Sequence, residues 1–397
     1  MLASRATRAV LVGLAACVAL LGKTVAAEID PATIKDIRKV AVVSLIPEGL
    51  EVFRVGKSGF TAVAYVGPVD WWKTNAHIRT VLGELLKQRE RFEVKDVSYD
   101  SGALLKLALQ FRPNDDATLK ALSPAIAELA RAEGLDGVFL VLRGGRQGFL
   151  CRGAGCPALP GYGDTYGNTG IGIHSNAARF GDQAGYRGDN AYVSMRMFLL
   201  AKDGAPLGTA ELADYVPVSF NGAEEFSGIP APALEDYEAR IKSLLDKQLS
   251  LAVARLGVLN SAPVAGAPAD PSIVPALTVN NECCRYLSKL AAGIAQGYSD
   301  AVEKERLKLG AESAVLTVKG VANSSRGMGM MRSTEYRIEG VLAFRGNEYV
   351  ISDAAGLFGK LDSVANAVGA AALEKVRSVI DPSTRREKPS AIPKGPE

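Results

Sequence analysis

The sequence predicts a protein of the α+β or α/β class with two domains, each a small mixed sheet packed by amphipathic helices. Short apolar runs alternate with segments of helical periodicity, a Pro- and Ala-rich stretch interrupts this pattern, and 397 residues exceed what one ordinary core supports. We place the first domain at 28–258, a linker at 259–277, the second domain at 278–381 and a polar, disordered tail at 382–397.

The first 27 residues have the parts of a secretory signal. Arg5 and Arg8 give a basic beginning, residues 9–22 form an uncharged apolar run, and small residues end the segment at Ala27. An alternative is a lipobox ending at Cys17, which would then be lipidated. We favour cleavage after Ala27 because the apolar run continues past Cys17. We therefore expect a periplasmic protein, or a membrane-anchored lipoprotein if Cys17 is lipidated.

Charge and hydropathy exclude two classes of function. The chain has 46 basic and 43 acidic side chains, and Arg5, Arg8 and Lys23 account for the difference, so residues 28–397 are formally neutral. Nucleic-acid binders cluster basic residues on one face, so we expect no nucleic-acid partner. No apolar run after the signal is long enough to span a membrane.

The elements of the first domain follow from periodicity. Apolar runs bounded by Gly, Pro or Asp predict strands, and apolar residues three and four apart predict helices. Pro124 predicts a break in its helix. Residues 144–190 form a Gly-rich insertion without periodicity, which we expect to be a loop. In chain order we expect strands at 39–46, 50–55 and 63–66, a helix at 75–91, a strand at 92–97, a helix at 116–133, strands at 138–142, 192–199 and 207–216, and a helix at 234–256.

The second domain repeats this alternation in less space. The Gly346-Asn347 pair predicts a turn between its last two strands. In chain order we expect a helix at 284–307, strands at 314–321, 334–344 and 348–352, and a helix at 357–379.

Four cysteines remain beyond the signal. Cys151 and Cys156 enclose a flexible Gly-containing segment, and in an oxidising compartment they are expected to form a disulfide. Cys283 and Cys284 are adjacent, and they could form a strained disulfide, remain two thiols on different faces of a helix, or bind a soft metal; we favour two thiols. We expect no metal site and no cofactor, because only two histidines accompany these cysteines.

The patterns of common catalytic sites are incomplete. Gly56-Lys57-Ser58 lacks the glycine that a phosphate-binding loop needs at position 51, which is Glu51. His77 and His174 are the only histidines, and no nucleophile elbow accompanies them. We interpret His77 as a surface or helix-capping residue, and place His174 in the Gly-rich loop with acidic residues nearby.

Aromatic residues suggest binding instead. The Gly-rich loop contains Tyr162, Tyr166, Phe180 and Tyr186, a composition typical of protein-binding loops, although these rings could also pack against their own domain. Trp71-Trp72 is a second candidate, for which we favour core packing.

The order of elements in 36–258 resembles a known family. The segments KVAVVSL, FEVKDVS, AEGLDGVFLVL and YVSMRMFLLAKDGAPLGTAEL follow one another as in the α/β domain of the TolB amino-terminal and curli-secretion lipoprotein class. The 145–190 insertion departs from that pattern, and no functional residue is carried over. The resemblance implies a non-catalytic envelope protein.

We therefore expect a scaffold or accessory factor of an envelope complex, acting through contacts with other envelope proteins. One alternative is a lipid- or glycan-binding module, for which a deep apolar pocket or an exposed aromatic platform would be the sign. Another is an envelope hydrolase that uses the Gly-rich loop, for which a cleft combining His174 with acidic residues would be the sign.

Overall fold

A computed structural model describes residues 29, 33–55, 62–111, 116–144, 169–176, 188–260, 270–283, 287, 289–326, 333–354 and 361–381. It confirms a mixed α and β architecture with an eight-stranded sheet, a four-stranded sheet and six α-helices among these residues. The predicted signal with Cys17, and the predicted tail, lie outside the described residues.

The first sheet contains strands β1 to β8. Their neighbours run in the order β3-β2-β6-β7-β5-β1-β4, and β8 pairs with the other edge of β7. The strands are β1 (Lys39–Leu45), β2 (Gly49–Val55), β3 (Ala62–Pro68), β4 (Glu93–Lys95), β5 (Gly137–Arg143), β6 (Gly170–Asn176), β7 (Gly188–Ala201) and β8 (Pro206–Pro217).

One edge of β7 carries two strands placed end to end. Residues 195–201 of β7 pair with β5 and residues 188–194 pair with β6, both antiparallel. Arg143 is opposite Met195 and Gly170 is opposite Ser194, so β5 ends where β6 begins. Strands β1 and β2 follow one another in the same way, each parallel to its neighbour. The sheet is therefore two half-sheets joined by the unbroken strands β7 and β8.

The interruption between β1 and β2 is held by the first helix, α1 (Thr74–Lys87). Glu48 lies in this interruption, and its carboxylate accepts hydrogen bonds from the backbone N–H groups of Thr74 (3.0 Å) and Asn75 (3.1 Å). The Asn75 side chain in turn bonds the N–H and C=O of Ile46. An anion at a helix N-terminus satisfies donors that have no intrahelical partner, so each element stabilises the other.

Helices cover both faces of the first sheet. Helix α1 and helix α4 (Ala231–Leu256) pack on one face, with a core that includes Ile78, Leu82 and Leu249. Helices α2 (Ser101–Ala108) and α3 (Asp116–Glu133) cover the β5–β1 half of the other face. The helix α3 continues through Pro124, so the break expected there is absent.

The second sheet has the order β12-β11-β10-β9, with helices α5 (Leu290–Lys304) and α6 (Leu361–Ile380) on one face. Its strands are β9 (Ile273–Asn281), β10 (Lys308–Arg326), β11 (Ser333–Phe344) and β12 (Asn347–Ala354). The two helices approach closely, because a Cβ at Gly297 would overlap the backbone of Asn366 and one at Gly369 would overlap the backbone of Ile294.

Helix α4 also connects the two sheets. Leu251 and Ala254 pack against Val341 and Val350 of the second sheet. Beyond the helix, the Asn260 side chain bonds both backbone groups of Glu348, at 3.0 Å to its oxygen and 2.8 Å from its nitrogen. The amide of Asn260 therefore satisfies the backbone of the edge strand β12 as a neighbouring strand would.

Several elements differ from the sequence expectations. Strand β6 lies inside the segment 144–190 that we expected to be a loop, and β7 begins at Gly188 within the same segment. Strand β9 begins at Ile273, inside the expected linker, and α2 was not expected. The glycines of β6 concealed its strand character, because glycine is depleted in strands.

We predict opposite effects of the same substitution in two helices. Gly83→Ala in α1 should stabilise the protein by up to about 1 kcal/mol, because alanine is the better helix former and its Cβ would meet only Val94 Cγ1 at an ordinary 3.8 Å. Gly297→Ala should destabilise it by about 1–3 kcal/mol, because the methyl group separates α5 from α6. Urea unfolding measures both, and equal signs would contradict the close approach of these helices.

Candidate functional site

Most of the site residues predicted from the sequence cannot be compared with the structure. Tyr162, Tyr166, Phe180 and Tyr186 lie outside the described residues, as do Cys151, Cys156 and Cys284. The Cys151–Cys156 disulfide and the aromatic loop therefore stay predictions. Cys283 is exposed just after β9. The state of the Cys283–Cys284 pair, for which we favour two thiols, therefore also stays a prediction.

Buried polar side chains lie at the point where β5 ends and β6 begins, and farther along β6 and β7. Of the thirteen buried polar or charged residues in the described ranges, seven lie on β2, β5, β6 and β7 or directly before β6. We call these the polar cluster: Glu51, Arg143, Thr169, His174, Ser175, Asn190 and Ser194.

An ion pair stands at the centre of the polar cluster. Arg143 Nη2 lies 3.0 Å from Glu51 Oε1, and the Tyr192 hydroxyl donates to Glu51 Oε2 at 2.8 Å. Arg143 Nε donates to the carbonyl of Thr169 at 3.2 Å, and the Ser194 hydroxyl donates to the carbonyl of Gly144 at 2.8 Å. These bonds hold the last residues of β5 beside the first residues of β6.

Two glycines make room for this arrangement. A Cβ at Gly170, which has φ +98°, would lie 2.9 Å from the Glu51 carboxylate. A Cβ at Gly172 would meet the Tyr192 hydroxyl at 2.6 Å and overlap the Glu51 backbone. The side chains of Glu51 and Tyr192 can therefore meet across β6 only because Gly170 and Gly172 have no side chains in the way.

Burial shifts the acid–base behaviour of Glu51. Desolvation raises the pKa of its carboxyl from an ordinary 4.5 to about 7, and the Arg143 charge and the hydrogen bonds from Tyr192 and Arg143 oppose part of that rise. The carboxyl is enclosed by the sheet and paired with Arg143, so its contacts serve the joint between the half-sheets.

His174 is not a loop residue. It lies in the middle of β6, fully buried, between Phe53 of β2 and Asn190 of β7. Neither ring nitrogen has a hydrogen-bond partner in the described part of the chain, and desolvation lowers the pKa of the imidazole from 6.5 to about 4. A buried imidazole with this pKa is a poor general base for an external substrate.

His77 lies on the surface of α1, as expected, and pairs with another helix. Its Nε2 is 2.7 Å from Asp246 Oδ1 of α4, and both side chains are partly exposed. A histidine and a carboxylate suit a triad only if a nucleophile completes them, and among the described residues no serine, threonine or cysteine bonds the His77 ring. The pair links α1 with α4.

Trp71 and Trp72 take different environments. Trp72 is 1% exposed and packs in the core, as we expected, whereas Trp71 is 50% exposed. The ring of Trp71 lies 6.3 Å from that of Phe226, at an interplanar angle of 55°. Phe226 also covers Gly67 near the end of β3, where a Cβ would overlap its ring. We call Trp71 and Phe226, with the adjoining end of β3, the aromatic corner.

Other kinds of site find no support in the described residues. No group of three or more His, Cys, Asp or Glu side chains there is placed to hold a metal ion. In the same ranges, no helix combines the length and the apolar character that crossing a membrane requires.

The polar cluster predicts a compensated pH dependence of stability. Between about pH 4.5 and 7 the folded Glu51 holds a proton that the unfolded carboxyl has lost, so its contribution falls as pH rises. Between about pH 4 and 6.5 the unfolded His174 binds a proton that the folded imidazole does not, so its contribution rises with pH. The two slopes oppose each other where the windows overlap.

Single substitutions should separate the two contributions to the change of stability with pH. Relative to the wild type, Glu51→Gln should gain stability as pH rises from 4.5 to 6.5, and His174→Leu should lose it, each by a few kcal/mol at roughly 1.4 kcal/mol per pH unit. Glu224→Gln, which changes an exposed carboxylate, is the matched control. Chemical denaturation at stepped pH measures the slopes. Slopes equal to that of the wild type would show that neither group titrates abnormally.

Comparisons with known proteins leave the family open. No protein-family model matches the chain, and no curated protein matches it. Among solved structures, a minor lipoprotein from Acinetobacter baumannii is similar to 29% of this chain over 96% of its own length, with 10% identity and a TM-score of 0.19. A similarity this low carries no argument, so the resemblance of residues 36–258 to the TolB amino-terminal and curli-secretion class stays a prediction.

Proposed function

We propose that this protein acts in the cell envelope by binding another protein at the aromatic corner. The observation that carries the proposal is Trp71, a large apolar side chain that is half exposed, packed against the tilted ring of Phe226 and next to an edge strand. Exposed tryptophans are frequent anchors of protein interfaces, because a rigid ring buries much apolar area at little entropic cost. The proposed compartment depends on the predicted signal.

The hydrolase alternative loses its expected base. That alternative needed His174 on an accessible loop beside acidic residues, whereas His174 is enclosed in β6 with a lowered pKa. His77 is accessible, but its Nε2 is bonded to Asp246. Of the ionisable groups with described partners, Glu51 pairs with Arg143 at the joint between the half-sheets, and the His77–Asp246 pair links α1 with α4.

A glycan-binding role would also use an exposed aromatic ring. Sugars stack on flat aromatic surfaces, whereas the rings of Trp71 and Phe226 are tilted by 55° and do not form one plane. The adjoining element is a strand edge, whose backbone groups recognise another polypeptide. These two observations favour a protein partner over a glycan.

Site-specific photocrosslinking tests the proposal. A benzophenone amino acid replaces Trp71 in the full chain, expressed in its native cells, and Lys120, exposed on α3, is the control position. We expect a discrete, protease-sensitive adduct from position 71 that is absent from position 120. Excess wild-type protein should compete with this adduct and Trp71→Ala protein should not. The absence of an adduct, identical adducts from both positions, or a protease-resistant glycan adduct would overturn the proposal.

The two tryptophans provide a matched pair of variants. Trp71→Ala should weaken binding of the captured partner by about tenfold or more, as truncation of an interface anchor does, with little change in stability. Trp72→Ala should destabilise the fold by about 3–5 kcal/mol, because it empties a core site. Binding assays and urea unfolding measure the two effects. If Trp71→Ala bound normally, the aromatic corner would not be the interface.

A further inference from the structure

Sheet edges attract other strands because they present unpaired backbone N–H and C=O groups. Natural proteins protect them with charges, prolines, short strands or covering groups. The described part of this chain has five edge strands, which are β3, β4 and β8 in the first sheet and β9 and β12 in the second. Their protection can be compared directly.

Four of these edges are protected. Strand β4 is three residues long and carries Glu93 and Lys95. Strand β8 carries two acidic side chains and has a proline at each end. Strand β9 contains Pro275, and in β12 the backbone of Glu348 is bonded by the Asn260 side chain.

Strand β3 has none of these features from Val63 to Val66, and Phe226 covers it at Gly67. Its seven residues, AVAYVGP, include no charge, and its only proline is the last residue. Side chains from Val63 to Val66 are half buried, and Val63 belongs to none of the packed core clusters. Strand β2 occupies one edge of β3, and no described strand occupies the other.

Acidic side chains lie over the face of β2 and β3 that carries Arg54 and Tyr65. Tyr65 donates its hydroxyl to the carbonyl of Ala223 at 3.1 Å, which places the following residues Glu224 and Glu225 near β3. Glu224 is 81% exposed. Glu224 and Glu225 directly precede Phe226 in the chain, and Asp70 directly precedes Trp71. The cations of the same stretch are Arg54, 3.3 Å from Glu224, and Lys73. Among the described residues of 54–73 and 221–228, three carboxylates therefore accompany two cations, and one of the three, Glu224, is paired with Arg54.

We propose that β3 binds an extended, basic segment of a partner protein as an additional strand of the first sheet, with Trp71 and Phe226 packing beside it. This inference rests on the proposed function and names the kind of segment bound. The backbone of β3 would pair with the segment, and its Lys or Arg side chains would meet Glu224, Glu225 and the face of Trp71. A second copy of this chain fits less well, because it would bring two acidic corners together.

A synthetic peptide tests this inference without a known partner. The probe is a seven-residue blocked peptide of alternating Lys and Val, the length of β3. Trp71 and Trp72 are the only tryptophans in the chain and Trp72 is buried, so a fluorescence change on titration reports on Trp71. We expect saturable binding that weakens with added salt. Replacing every Lys with Glu, or the middle Val with Pro, should weaken binding about tenfold or more.

Variants of the full chain locate the binding edge. Val63→Lys places a charge on β3 and should weaken binding of the Lys-Val peptide about tenfold or more. Ala213→Lys places the same charge on the edge strand β8 and should leave binding unchanged. Thermal unfolding confirms that both variants fold. Absence of saturable binding to the folded wild type, or equal binding by the proline peptide or by Val63→Lys, would overturn strand addition at β3.

The two proposals fail in distinguishable ways. A specific adduct from position 71, together with no binding of the Lys-Val peptide, would leave the proposed function standing and refute strand addition. Proline-sensitive peptide binding that Val63→Lys abolishes, without any adduct from position 71, would support an open edge at β3 and refute Trp71 as the contact in cells.

Discussion

The structure of the first sheet depends on one constraint, which is that two strands share a single edge of β7. Because β5 ends and β6 begins at adjacent positions on β7, their polar backbone ends at Gly144 and Thr169 lie inside the sheet. Buried polar groups are costly unless they are paired. Arg143, Thr169, Ser194 and Glu51 provide the pairing, so a buried ion pair stands where an ordinary sheet would have apolar side chains.

The same constraint connects the polar cluster with the edge at β3. Glu51 belongs to β2, and it faces Gly172 of β6 on one side and Val66 of β3 on the other. The ion pair with Arg143 therefore ties β2 to the end of β5, the hydrogen bond from Tyr192 ties it to the unbroken strand β7, and β3 pairs with β2.

The sequence predicts the elements with strong periodicity and misses those that depend on distant partners. Strands β1, β5 and β8 and helices α1, α3 and α4 follow from local pattern. Strand β6 does not, since Gly170 and Gly172 weaken its propensity and β7 supplies its stability from elsewhere in the chain. The alternation of Ile171 and Ile173 with small or polar residues was the signal available for it. For Glu51, the signal was a lone carboxylate within the apolar run of β2, and only the fold shows that Arg143 meets it.

The charge of the whole chain makes the unprotected edge of β3 more consequential. Residues 28–397 are formally neutral, so net repulsion does little to keep copies of the protein apart. Under that condition an exposed strand edge is a hazard, and the four other edges carry charges, prolines, a short length or the Asn260 amide. We therefore interpret the apolar edge of β3, which lies beside a half-exposed tryptophan, as a binding site for another strand. The acidic side chains near it would then have two effects, since they repel a second copy and attract a basic segment.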